Sequence, residues 1–196
     1  MGPGFNETYE SVCRWAKFQG ITVHHQHLKP NKAGEFDGIS VTMNTVYTVE
    51  ERTHYLAHAL GSIVRWSLSS PKIQQMFQEL RAAKKEKHVD PARLEQAIDE
   101  YRAFEIESSE FAVWLLAHIG HADAIHRFTN FMRADLDALT QFHRMGTAPV
   151  WRNYFADWNE QVANGCRLVQ PFDAKPIPTF HPKLIELQEI LQEQPK

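Results

Sequence analysis

Three helix-start signals between residues 48 and 91 constrain this chain more than any other feature of it. Thr48, with Glu51 three residues on, forms a capping box in which the two side chains satisfy orphan N–H groups of the first helical turn. Leu56, Leu60, Ile63 and Val64 then recur at helical spacing and predict a helix to about Leu68. Ser70-Pro71 opens a second helix carrying Ile73, Met76, Phe77 and Leu80, because a proline at the first helical position loses no hydrogen bond. Asp90-Pro91 repeats that signal ahead of a long helix with Leu94, Ile98, Tyr101, Glu105 and Phe111, which Gly120 ends. With this much of the chain given to helix, little is left for sheet.

The strand signals lie before residue 48. Asn6 to Phe18 reads as a short amphipathic helix stopped by Gly20, with Tyr9, Val12, Cys13 and Ala16 on one side. Ile21 and Val23 follow, then a turn at Asp37-Gly38 and the alternating Ile39, Val41 and Met43. The expectation is one small antiparallel sheet of two or three strands between helices. Beyond Gly120, helices are expected at about 122–143 and 150–163. An extended stretch with four prolines follows at 170–182, and a last amphipathic helix over 182–192. No internal repeat is visible. The fold class read from this order is α+β, mainly α, with the helical extension 121–196 following a domain over 1–120.

Bulk properties narrow the function. The 196 residues, 43% of them hydrophobic, can bury one sizeable core. A net charge of −3 provides no basic field for nucleic acid, and the run Arg81 to Lys87 reads as a solvated segment. No apolar stretch approaches the ~20 residues of a membrane helix, and the N-terminus lacks the apolar core of a secretory signal. Cys13 and Cys166 read as two ordinary thiols, so the expected compartment is cytoplasmic. There is no Gly-rich phosphate loop, nucleophile elbow or CxxC pair.

The segment richest in chemistry is Glu51-Arg-Thr-His54-Tyr-Leu-Ala-His58-Ala-Leu-Gly-Ser62. In HExxH peptidases two histidines one helical turn apart grip a single zinc, and the glutamate after the first activates the zinc-bound water. Leu56-Ala57-His58-Ala59-Leu60-Gly61-Ser62, preceded by the strand 38–44 and by Glu50-Glu51-Arg52, resembles the ImmA/IrrE family of zinc metallopeptidases, whose wording there is close to "LAHELGH". Further on, Glu105-Ile-Glu107-Ser-Ser-Glu110-Phe111-Ala112 and Leu115-Leu116 resemble that family's second helix. The likeness covers about residues 5–120.

The resemblance implies that His58 stands at the first zinc-ligand position and Glu107 at the third. It places Ala59 where the general-base glutamate belongs and Ser62 where the second histidine belongs. Alanine takes no proton from water, and a serine hydroxyl is a poor zinc ligand beside imidazole. No catalytic residue is therefore expected in the family's place, and no cofactor is expected in a conventional site. The implied protein is a catalytically inactive relative that keeps the cleft for a protein or peptide partner; family peptidases commonly act on transcriptional regulators. The alternative is a zinc-dependent hydrolase with its metal shifted one turn, held by His54, His58 and Glu107, with Tyr55 after the first histidine. A second surface enters as a candidate: Trp151, Tyr154, Phe155 and Trp158 recur at spacings of three and four and would give a helix an aromatic, partner-binding face. The histidines 24, 25 and 27, and those at 118, 121 and 126, read as structural.

Overall fold

The computed structural model describes residues 4–29, 32–85, 90–146 and 172–185. Helix α1 (Phe5–Phe18) leads into strands β1 (Thr22–Gln26), β2 (Gly34–Phe36) and β3 (Ser40–Asn44). Helices α2 (Val49–Lys85) and α3 (Pro91–His118) follow, then a 3-10 turn at Ala122–Ala124 and helix α4 (Ile125–Met145). The architecture is α+β and mainly α, as the start signals imply.

Each start signal forms as read. The Thr48 N–H and hydroxyl donate to Glu51 Oε2 at 2.8 and 3.0 Å, and the Glu51 N–H donates to Thr48 Oγ1 at 3.2 Å. Asp90 caps α3 by accepting from the Ala92 N–H at 3.0 Å, with Pro91 at the first position. The break expected at Ser70-Pro71 is a kink inside α2, where Ser69 leaves helical geometry at φ −146°, ψ 36°. Pro71 has no N–H to return to the preceding turn, so the ladder opens there and resumes.

The sheet departs from expectation in one respect: it is mixed, not antiparallel throughout. Its order is β1-β3-β2, with β1 parallel to β3 and β2 antiparallel to it. The tight turn over Asp37-Gly38-Ile39 forces β2 and β3 into a hairpin. The hairpin leaves β1 to pair on the other side of β3, running in the same direction. Asp37 Oδ1 accepts from the Ile39 and Ser40 N–H groups at 3.0 and 2.6 Å, and Oδ2 from the Ser40 hydroxyl at 2.9 Å. Gly38 supplies the φ of +91° that this turn demands. Ile39 is therefore spent on the turn and is 42% exposed, while Val41 and Met43 point into the core.

Val41, Met43, Leu56, Leu60, Phe111 and Leu115 belong to the main core, and Phe128 and Phe131 of α4 belong to the same cluster. A second cluster joins Trp66, before the kink, to Ile73 and Leu80 after it and to Ile98 and Phe104 of α3. Each large side chain buried in this way is worth about 1.5–3 kcal/mol. Helices α2 and α3 approach closely at Gly61, where an added Cβ would overlap the Ser108 main-chain oxygen. Glycine here serves that approach, which brings the inner face of α3 up to His58. Residues 172–185 form an extended strap, with Phe172, Phe180 and Ile185 inserted into the two cores.

Candidate functional site

His58 is 8% exposed and lies between three helices. Its Nε2 is 2.7 Å from Glu105 Oε2 on α3, and its Nδ1 is 3.4 Å from Ser109 Oγ one turn further along α3. Asp135 of α4 is equally buried and accepts from the Tyr55 hydroxyl at 3.4 Å. Burial alone would lower the His58 pKa, but the Glu105 hydrogen bond and charge, aided by Asp135, outweigh it and hold the ring above its ordinary value. Burial raises the Asp135 carboxyl to about 6, with the nearby His58 opposing and the Glu105 charge adding. Tyr101, buried, and Tyr55, partly buried, lie beside these carboxylates and are pushed well above the usual phenol range, chiefly by desolvation.

Ser109, His58 and Glu105 together have the composition of a nucleophile, a base and an orienting acid. Their geometry does not serve that chemistry. Ser109 Oγ donates to the Glu105 main-chain carbonyl at 2.9 Å and is 2% exposed. The gap bordered by Glu105, Ser109, Met132, Asp135 and Phe172 has no room for a water molecule, let alone a substrate. What this cluster can do is keep a proton and two carboxylates together in the interior and lock α2, α3 and α4 in register.

The residues proposed to hold a shifted zinc are not gathered. The His54 ring is fully buried among Phe5, Phe128 and Phe131, with centroids 5.3, 6.0 and 5.2 Å away. Its Nε2 lies 3.5 Å from Glu50 Oε1, and neither ring nitrogen makes a hydrogen bond among the described residues. Burial lowers its pKa, with Glu50 opposing. Glu107 lies elsewhere again, paired with Arg65 of α2 and Lys175 of the strap. A zinc site needs three protein ligands converging within ~2.0–2.2 Å of one point. Here His58 is bonded directly to Glu105, while Ala59 and the buried Ser62 offer no substitute for the donors that the resemblance requires. Among the described residues no three of His, Cys, Asp and Glu come together in a way that would hold a metal ion. These side chains do not fit zinc.

The carboxylate that meets His58 is thus Glu105, not Glu107. Helical periodicity carried the signal: Tyr101, Glu105, Ser108, Ser109 and Ala112 are buried along one face of α3, and residue 107 falls off it. Asp135 had no comparable signal, since nothing local in α4 marks it. Of the other histidines, His121 is buried with Nδ1 3.2 Å from Thr8 Oγ1, His25 lies 2.8 Å from the Tyr9 hydroxyl, and His118 stacks on Trp114 at 4.4 Å. The aromatic set Trp151, Tyr154, Phe155 and Trp158 lies outside the described residues.

A cleft of about 330 Å³ opens beside β2, which forms one edge of the sheet. Phe36, Trp66, Phe77, Phe104 and Ile185 wall it, and Lys32 and Glu35, an ion pair, stand among its polar margins. Trp66 is 3% exposed, and its indole N–H makes no hydrogen bond among the described residues. No protein-family model, curated protein or solved structure matches the chain.

Proposed function

We propose that this chain is a catalytically inactive metallopeptidase-like protein that binds a protein or peptide segment in the cleft beside β2. The observation that carries this reading is the closure of the His58 environment against Glu105, Ser109 and Asp135, with an open apolar cleft nearby. A hydrolase needs a reactive group that meets solvent and substrate together, and His58 meets neither. An edge strand with an aromatic-lined hollow at its side offers what an extended peptide uses: main-chain hydrogen bonds along the strand and a place for an apolar side chain. No helix of the described residues is long and apolar enough to cross a membrane.

Two measurements test the reading. Elemental analysis after dialysis against zinc is expected to give no stoichiometric metal in the wild type; one zinc per chain, lost in His58→Ala, would overturn the inactive assignment. Peptides selected from a random library on the full chain are expected to lose binding to Phe77→Asp. Selected peptides that bind Phe77→Asp as well as wild type would place the partner surface elsewhere.

A further inference from the structure

The strap that closes the described structure ends in the same cleft. Its Phe172 packs at the His58 cluster, Lys175 N–H donates to the Glu110 carbonyl at 3.2 Å, and Phe180 stacks on Trp15 at 6.3 Å. The last anchor is Ile185, which is 7% exposed in the cluster of Trp66 and Phe104 and forms part of the cleft wall. Its N–H donates to the Asp37 carbonyl at 2.6 Å. That contact is what an extended peptide laid against the β2–β3 turn would make: one main-chain hydrogen bond and one aliphatic side chain turned inward. Gly38 permits it, since a Cβ there would overlap the Lys183 carbonyl and lie 3.0 Å from Ile185 Cγ1.

We propose that residues 183–185 are an intramolecular competitor at the cleft, with Ile185 forming one wall where an extended partner peptide would place an aliphatic residue, so that the chain regulates its own binding site. The proposal rests on the peptide-binding reading above and names both the class of partner and its competitor. The anchor is built to exchange. Leu184 beside it is 57% exposed and Lys183 is exposed, so among residues 183–185 only Ile185 is buried. Burying one aliphatic side chain is comparable with the entropy cost of ordering a few residues, so neither state dominates by a wide margin. Tethering raises the local concentration of the segment to the order of millimolar, which a free peptide must overcome.

The test uses full-length protein and a fluorescein-labelled synthetic peptide with the sequence of residues 176–185, followed by anisotropy. The wild type is compared with Ile185→Asp, which removes the anchor, and with Gly38→Ala, whose Cβ crowds Lys183 and Ile185 and also strains the turn at φ +91°. Thermal melts confirm that each variant folds. The expected result is binding to both variants at least about tenfold tighter than to wild type, and none for a peptide ending in Asp in place of Ile. Equal affinity for wild type and both variants, or no binding to any, overturns self-occupancy. If library-selected peptides still bind in a Phe77-dependent manner while the strap variants change nothing, the cleft reading stands and the intramolecular competitor falls. If no peptide of either kind binds, both fall.

Discussion

Replacing Asp135 by asparagine keeps the shape of the side chain and an acceptor for Tyr55 but removes the titration. The folded-state carboxyl sits at about 6 against an ordinary 3.8, chiefly through burial. With the folded value the higher of the two, the stability this group contributes is complete below pH 3.8 and is lost as pH rises through about 6. At ~1.4 kcal/mol per pH unit, that gap corresponds to about 3 kcal/mol. His58 titrates with the same sign, since its pKa is also raised: its contribution is present below 6.5 and lost above the folded value. Asp135→Asn should therefore gain on wild type by about 2.4 kcal/mol between pH 4 and pH 7, the rest of the gap lying below pH 4. Urea unfolding followed by circular dichroism at several pH values measures the difference, and taking the difference cancels the titrating groups that do not interact with Asp135. A gap that stays constant across this range would refute the burial argument. A gap of the opposite sign would mean that Asp135 is stabilised as the anion by His58.

The remaining predictions concern packing and the two glutamates. Gly61→Ala should destabilise by about 2 kcal/mol, because overpacking at the α2–α3 crossing outweighs the gain in helix propensity. Ser108→Ala should not rescue it, since the clash is with main chain; a Gly61→Ala protein as stable as wild type would sink the close-approach assignment. Glu105→Gln breaks a buried ion pair and should cost about 3 kcal/mol, read as a fall in melting temperature. Glu107→Gln loosens only half-exposed pairs and should cost about 1 kcal/mol or less; a larger loss there than at Glu105 would reverse the roles given to the two carboxylates.

Much of the fold is legible locally because caps and periodicity are local physics. The capping box at Thr48, the proline starts at Pro71 and Pro91, and the buried stripe of Leu56, Leu60 and Ile63 need only neighbouring residues to be understood. The site is less legible. His58 stood out by its spacing, yet its partner was misplaced by two residues: a motif comparison pointed to Glu107, while the face of α3 that turns inward holds Glu105. His54 has the right spacing from His58 for a shared metal, but the aromatic rings of α1 and α4 enclose it.

By itself the sequence determined where helices begin and break, and that one short alternating segment would anchor a small sheet. Those are properties of residues and their near neighbours. Only the tertiary structure decided the direction of β1 against β3, the choice of Glu105 over Glu107, the burial of Asp135 beside His58, and the place of Ile185 in the wall of the cleft. Each of these depends on contacts between segments tens of residues apart or more, or on the direction the connecting chain takes. Such contacts are fixed by how helices and strands pack, and that packing leaves no local mark in the order of amino acids.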